Sequence, residues 1–151
     1  MLHVALWEPE IPPNTGNIAR LCAATGATLH LIGRLGFRLD ERSLRRAGLD
    51  YWPHVDLYRH ATLADLDAWL GARRLFCFSA HATLPYTQAW HQPGDCLLFG
   101  GEAHGLPAWL LERHAERTLC IPMPAGKVRS LNLATAAGIV LYEALRQIHG
   151  W

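Results

Sequence analysis

Short apolar runs alternate with amphipathic stretches along the whole chain. Five of these runs predict strands, at Leu2–Trp7, Thr28–Ile32, Leu75–Ser79, Cys96–Phe99 and Thr118–Ile121. Four to six nearly continuous apolar residues are typical of strands in a parallel sheet that is covered on both faces.

Helical patterns lie between the predicted strands. Asn14 or Thr15 can N-cap a helix that continues to about Thr25, and Gly26 is its predicted stop. Further helical patterns cover Leu39–Ala47, Leu63–Leu70, Ala108–Ala115 and Leu131–Ile148. The order of elements predicts an α/β fold with a mostly parallel sheet and helices on both faces.

Length and composition narrow the class of protein. The chain has 151 residues, half of them apolar, which predicts one domain, 1–151, with a sizeable core. It has no apolar run of bilayer length, and its amino terminus lacks the pattern of a signal peptide, so we expect a cytoplasmic protein. The four cysteines form no C-x-x-C pair and the nine histidines no H-x-x-x-H pair. We therefore expect neither a metal site nor disulfides.

Basic residues are unevenly distributed, although the net charge is only +1. Lys127 is the single lysine, and five of the thirteen arginines fall between Arg34 and Arg46, including Arg45 and Arg46. Arginine binds phosphate through a planar, bidentate fork and stacks on bases. The cluster indicates either an RNA-binding patch or a solvated helix face.

The segment Phe99–Pro107 is the strongest candidate for a ligand site. It follows a predicted strand and precedes a predicted helix, the place where open α/β sheets bind ligands. Its glycines fit neither nucleotide fingerprint, and Glu102 disfavours a phosphate. The segment predicts a site for a neutral or cationic ligand or a hydroxyl; the alternative is a glycine turn that ends a strand.

Two further stretches combine polar residues with helix starts. In the first, Asn14 precedes Arg20 by six residues, so both can face one cleft, although a capped helix with an exposed arginine also fits. In the second, Ile121-Pro-Met123 and a loop over 124–128 lead to Ser130 and Asn132, which either cap the last helix or reach into a site. Within that helix, small residues up to Gly138 predict close packing by the sheet, a ligand or a second subunit.

Together these three stretches resemble the SPOUT-class RNA methyltransferases over nearly the whole chain. The likeness is greatest to the TrmL type, minimal tRNA 2′-O-methyltransferases that act on the wobble nucleotide, position 34. Residues 8–18 and Leu44–Tyr51 are most like that type, whereas Phe99–Pro107 and Ser130–Leu133 are shared with the wider 2′-O-methylating branch.

The resemblance implies a SPOUT fold with a C-terminal trefoil knot, a homodimer and S-adenosylmethionine as cofactor. Its implied catalytic residues are Arg20, Glu102, Ser130 and Asn132. Its implied cofactor-binding residues are Phe78, Ser79, Gly100, Gly101, Glu102, Ile121, Met123, Ser130 and Leu131. The substrate would be the anticodon stem-loop of tRNA, bound by Asn14, Arg20, Arg45, Arg46, Lys127, Arg129 and Tyr142.

The implied reaction is methylation of the ribose 2′-hydroxyl of cytidine or uridine 34. Because this hydroxyl is a weak acid, stabilising its developing charge is the main catalytic task, and Arg20 is the natural candidate. The alternatives are a 2′-O-methyltransferase for another tRNA or rRNA nucleotide, a non-catalytic RNA-binding module, and a small-molecule enzyme with a nucleotide cofactor.

Overall fold

A seven-stranded parallel sheet forms the centre of the computed structural model, which describes residues 1–39, 42 and 52–151. The strand order within these residues is β3-β2-β1-β6-β4-β7-β5, and every pair is parallel. The strands are β1 His3–Trp7, β2 Thr28–Ile32, β3 Leu57–His60, β4 Leu75–Phe78, β5 Leu84–Pro85, β6 Cys96–Gly100 and β7 Thr118–Cys120.

Four α-helices of the described chain connect and cover these strands: α1 Pro12–Thr25, α2 Leu63–Leu70, α3 Ala108–Arg113 and α4 Leu133–His149. Short 3₁₀ helices cover Trp52–His54, Tyr86–Gln88 and Ala115–Arg117. Gly26 and Gly150 end α1 and α4 in the left-handed conformation that favours glycine. No helix among the described residues is long and apolar enough to cross a membrane.

Each face of the sheet packs against its own pair of helices. Ile18 of α1 and Val140 of α4 lie in one apolar core, whereas Leu66 of α2 and Leu110 of α3 lie in the other. All five residues of β2 are buried, as expected for a strand covered on both faces. The predicted parallel α/β architecture is therefore confirmed, and the trefoil knot stays a prediction.

Some predicted elements differ from the observed ones. Helix α1 begins at Pro12 with Ile11 as its N-cap, so the prediction that Asn14 or Thr15 caps it is wrong. Strands β3 and β5 were not predicted. The predicted helix Leu39–Ala47 and the stretch Leu44–Tyr51 lie outside the described residues, apart from Leu39 and Arg42.

Three buried histidines join the strands at one edge of the sheet. His30 Nε2 lies 3.0 Å from His3 Nδ1, and His30 Nδ1 lies 2.9 Å from His60 Nε2. Trp69 of α2 packs edge-on against the rings of all three. Burial, followed by the charges of His3, His60 and Arg73, lowers the pKa of His30 to about 3, so the central imidazole is neutral.

Candidate active site

A cavity of about 470 Å³ opens at the carboxyl ends of β4, β6 and β7. Because the strands are parallel, their carboxyl ends and the loops that follow meet there. Strand order also reverses between β1 and β6, which is where doubly wound sheets bind their ligands. The volume falls within the range of small-molecule sites, about 300–1,000 Å³.

The last residue of β6 and the loop after it, residues 100–105, form one wall of the cavity; we call this segment the glycine bend. Gly105 N donates a 2.9 Å hydrogen bond to Gly101 O, which folds the bend back on itself. A Cβ at Gly100 would lie 2.0 Å from the carbonyl carbon of Gly105, and one at Gly101 would lie 2.3 Å from Glu8 O. Both contacts are with backbone atoms, so this bend requires glycine at 100 and 101.

Glu102, in the middle of the bend, accepts hydrogen bonds from the segment that begins α1. Its Oε1 accepts from Glu10 N at 2.8 Å, and its Oε2 accepts from Ile11 N at 2.9 Å and from Asn14 Nδ2 at 3.1 Å. The first two helical residues are prolines, which have no N–H to offer. A carboxylate at this helix end also complements the positive pole of the helix dipole.

Asn14 extends this polar contact to the third segment of the site. Asn14 Oδ1 accepts a 3.0 Å hydrogen bond from Asn132 Nδ2, and Asn132 Oδ1 accepts from Thr135 N at 3.1 Å, which caps α4. Glu102, Asn14 and Asn132 thus form one chain of hydrogen bonds, the polar chain, between residues 88 and 118 positions apart. It joins the glycine bend to the starts of α1 and α4.

The rest of the cavity wall is largely apolar. The rings of Phe78 and Phe99 stack with centroids 5.0 Å apart, and Ile121 and Met123 line the wall that follows β7. Ser79 turns the chain after β4, and its N–H donates to Leu119 O at 3.0 Å. Apolar walls with a few polar groups at one side suit a ligand that combines a flat ring with polar ends.

Every predicted cofactor-binding residue lines this cavity, as do Asn14, Asn132 and Arg129. Three predicted residues do not line it: Arg20 is exposed on α1, Lys127 is exposed in the loop before Ser130, and Tyr142 is exposed on α4. Arg45 and Arg46 lie outside the described residues.

The structure adds lining residues that the sequence did not single out, namely Ile11, His81, His104, Leu106 and Leu111. His104 and Leu106 lie inside the segment Phe99–Pro107, which the sequence already predicts as a ligand site. Ile11 and Leu111 reach the cavity from flanking segments, and no local pattern indicates that.

Other reactive groups are poorly placed for chemistry. Burial raises the pKa of the Cys22 and Cys77 thiols to about 12, which leaves them protonated and unreactive. Among the described residues, no group of three or more His, Cys, Asp or Glu side chains is arranged to hold a metal ion.

Known proteins match this chain over nearly its whole length. The family model described as the SpoU rRNA Methylase family matches residues 1–142. The tRNA (cytidine(34)-2′-O)-methyltransferase of Escherichia coli K12 is 47% identical over 152 residues, which cover 98% of this chain and 94% of that protein.

Solved structures share the same fold. One concerned with the 2-OH methylation of C/U34 on tRNA is 53% identical, has a TM-score of 0.95, and is matched over 100% of this chain and 98% of its own. An AdoMet-bound rRNA methyltransferase from Sinorhizobium meliloti is 31% identical, with a TM-score of 0.85 over 96% of this chain and 56% of its own.

Proposed function

Because the chain belongs to the SpoU rRNA Methylase family, we propose that it methylates the ribose 2′-hydroxyl of nucleotide 34, cytidine or uridine, in tRNA. The chain is a methyltransferase that uses S-adenosylmethionine, in keeping with its family and the AdoMet-bound relative. The observation that carries the choice of nucleotide 34 is the end-to-end match to enzymes and a structure concerned with that nucleotide.

The residues around the cavity fit the proposed cofactor. The stacked Phe78 and Phe99, with Ile121 and Met123, offer apolar walls for the adenine ring. The backbone groups of the glycine bend and the hydroxyls of Ser79 and Ser130 offer partners for its polar ends. When bound, S-adenosylmethionine supplies a methyl group already activated on a sulfonium.

The remaining catalytic task falls to residues that act on the 2′-hydroxyl. We assign Arg20 the stabilisation of negative charge on that oxygen or on a neighbouring phosphate, since a guanidinium stays protonated and is a poor base. Arg20 is exposed on α1, less than two turns beyond the cavity residue Asn14, where it can meet a substrate that approaches from solvent.

We assign Glu102 and Asn132 positioning roles rather than contact with the reacting atoms. The Glu102 carboxylate already accepts three hydrogen bonds, and Asn132 both caps α4 and donates to Asn14. Ser130 lies two positions before Asn132 and is exposed at the cavity wall. Its hydroxyl can hydrogen-bond the cofactor or the ribose.

We propose that the substrate is recognised through the anticodon stem-loop. Arg129 lines the cavity and Lys127 is exposed nearby in the chain, so both can meet the phosphates of the bound loop. The cluster Arg34–Arg46 would hold the stem. Charge reversal at Arg45 and Arg46 should weaken tRNA binding and flatten its salt dependence, because fewer counterions are released; an unchanged slope would exclude these two arginines.

We also propose that the enzyme is a cytoplasmic homodimer, as its tRNA substrate and its family resemblance suggest. Support comes from Gly138 on α4, where the sequence predicts close packing. Among the described residues, nothing lies within 4 Å of a Cβ built there. A second subunit, one of the sources of close packing that the small residues of this helix allow, would fill that space.

Calorimetric titration with S-adenosylhomocysteine, followed by methyl transfer to transcribed tRNAs, tests the proposed function. We expect saturable binding and incorporation of about one methyl group into each substrate tRNA. An RNA-binding module would bind tRNA without transferring methyl groups, and a nucleotide-dependent enzyme would bind a dinucleotide instead.

A further inference from the structure

The loop Glu8–Ile11 lies between two turns of the chain. On one side, Glu8 Oε2 accepts a 3.2 Å hydrogen bond from Arg34 N, and Pro9 O accepts one of 2.9 Å from Gly36 N. On the other side lies the glycine bend. Glu8 has φ of 51°, a region that favours glycine, and such a conformation persists only where the surroundings fix it. The loop is thus held in one conformation from both sides.

Glu10 and Glu102 make reciprocal contacts between this loop and the bend. Glu102 Oε1 accepts from Glu10 N at 2.8 Å, while Glu10 Oε1 accepts from Ala103 N at 3.2 Å. Each carboxylate therefore satisfies a backbone N–H beside the other. The arrangement resembles a capping box, but its two halves lie 92 residues apart.

The bend also packs directly on the loop that carries Glu10. A Cβ at Gly101 would lie 2.3 Å from Glu8 O and 3.4 Å from Glu10 Oε1. Neither Glu10 nor Glu8 lines the cavity. Glu10 therefore contacts the outer side of a wall whose inner side faces the ligand.

We propose that Glu10 is a positioning residue that holds the glycine bend in its cofactor-binding shape by accepting the Ala103 N–H. This inference rests on the proposed function, since it assumes that the bend holds S-adenosylmethionine. Glu102 hydrogen-bonds the bend to the segment that begins α1, and Glu10 adds a second hydrogen bond, from Ala103 N. The bend then turns back on itself through the hydrogen bond from Gly105 N to Gly101 O.

The test compares Glu10→Ala with Glu10→Gln, whose side-chain oxygen still accepts from Ala103 N. As a matched control, Glu112→Ala removes an exposed glutamate from α3. The measurements are S-adenosylhomocysteine affinity by calorimetry, the KM for S-adenosylmethionine and for tRNA, kcat, and hydrogen exchange at the Ala103 amide.

We expect Glu10→Ala to weaken S-adenosylhomocysteine binding and to raise the KM for S-adenosylmethionine about three- to tenfold, the effect of losing one solvent-exposed hydrogen bond. The KM for tRNA and the kcat at saturating cofactor should change less than twofold. The Ala103 amide should exchange faster. Glu10→Gln should keep all five measured values within twofold of the wild type, and Glu112→Ala should match the wild type.

Three outcomes would overturn the inference: wild-type cofactor affinity in Glu10→Ala, a Glu10→Gln variant as impaired as Glu10→Ala, or a fall in kcat with both KM values unchanged. If the wild type does not bind S-adenosylhomocysteine, the proposed function fails instead. Exchange at Ala103 then decides whether Glu10 holds the bend, and unchanged exchange in Glu10→Ala refutes it.

Discussion

Asn14 and Asn132 are joined by one hydrogen bond of 3.0 Å, in which Asn132 Nδ2 donates to Asn14 Oδ1. Asn14 Nδ2 donates in turn to Glu102, so the Asn14 amide is oriented from both ends. Asn14 is almost fully buried, with 7% of its surface exposed. The Asn14 amide carries its donor and its acceptor on two separate atoms, whereas an ionised acid lacks the donor and a hydroxyl has both functions on one oxygen.

The substitution Asn14→Asp removes the Nδ2 donor to Glu102 and places a second carboxylate against it. The free energy of unfolding at pH 7 should therefore fall by about 1–3 kcal/mol. At pH 5 the penalty relative to wild type should shrink, because protonation of the introduced carboxyl restores a donor. Urea denaturation at both pH values measures the difference.

Asn14→Ala is the control for this charge effect. It loses both hydrogen bonds without adding a charge, so its penalty should be the same at pH 7 and pH 5. A penalty for Asn14→Asp that does not depend on pH would contradict the described geometry of Asn14 and Glu102.

Arg20→Ala should separate catalysis from cofactor binding. Arg20 is exposed and does not line the cavity, so the variant should bind S-adenosylhomocysteine within about twofold of wild type. Methyl transfer should fall at least about a hundredfold, since a group that stabilises transition-state charge contributes about 10²–10³ to the rate. Near-normal methyl transfer by this variant would show that Arg20 is not a catalytic residue.

Much of the fold follows from the sequence because buried parallel strands are apolar on both faces. Strand Thr28–Ile32 is identical in the prediction and the structure. Strand β3 escapes prediction because Tyr58 and Arg59 are polar and exposed at the sheet edge. Strand β5 has only two residues and ends in proline, so it has no pattern of its own.

The cavity wall is predictable for a related reason, since strand ends and the loops after them meet at one edge of a parallel sheet. The contacts of Glu102 are not predictable from local pattern. They depend on the approach of two segments about 90 positions apart. Helix α1 itself begins at Pro12, two residues before Asn14. The polar chain can therefore be identified only from the tertiary structure and not from the sequence pattern.

The histidines of the sheet predict a fall in stability in acid. Burial, ahead of all other causes, lowers the pKa of His3, His30 and His60; Asp56 and Asp65 oppose this at His3 and His60. The unfolded chain takes up protons near pH 6.5, whereas folded His30 resists protonation down to about pH 3. The contribution of His30 to the free energy of unfolding is therefore fully present above pH 6.5, and it is lost as the pH falls from 6.5 towards 3.

For His30 alone the slope should approach about 1.4 kcal/mol for each pH unit below 6.5. Urea denaturation between pH 7.5 and 4.5 measures it. His30→Phe fills the same space without titrating, so its stability should depend less on pH. An equally steep dependence in His30→Phe would show that other groups cause the acid loss.

Gly138→Leu tests the proposed dimer. A Cβ built at Gly138 has no described atom within 4 Å, so we expect the variant to fold normally. If a second subunit packs against Gly138, sedimentation velocity should show a shift from dimer to monomer. Ala115→Leu, which adds the same bulk at an exposed position after α3, should leave the dimer intact. A fully dimeric Gly138→Leu variant would exclude this surface as the interface.

Mapping the methylated nucleotide shows whether this enzyme acts on nucleotide 34 of tRNA. Purified enzyme, S-adenosylmethionine and a set of transcribed tRNAs would be incubated together, and the product would be digested and analysed by mass spectrometry. We expect a single 2′-O-methyl group on nucleotide 34 in each substrate tRNA. A methyl group on another nucleotide, or none from a folded enzyme that binds S-adenosylhomocysteine, would show that the proposed reaction is wrong.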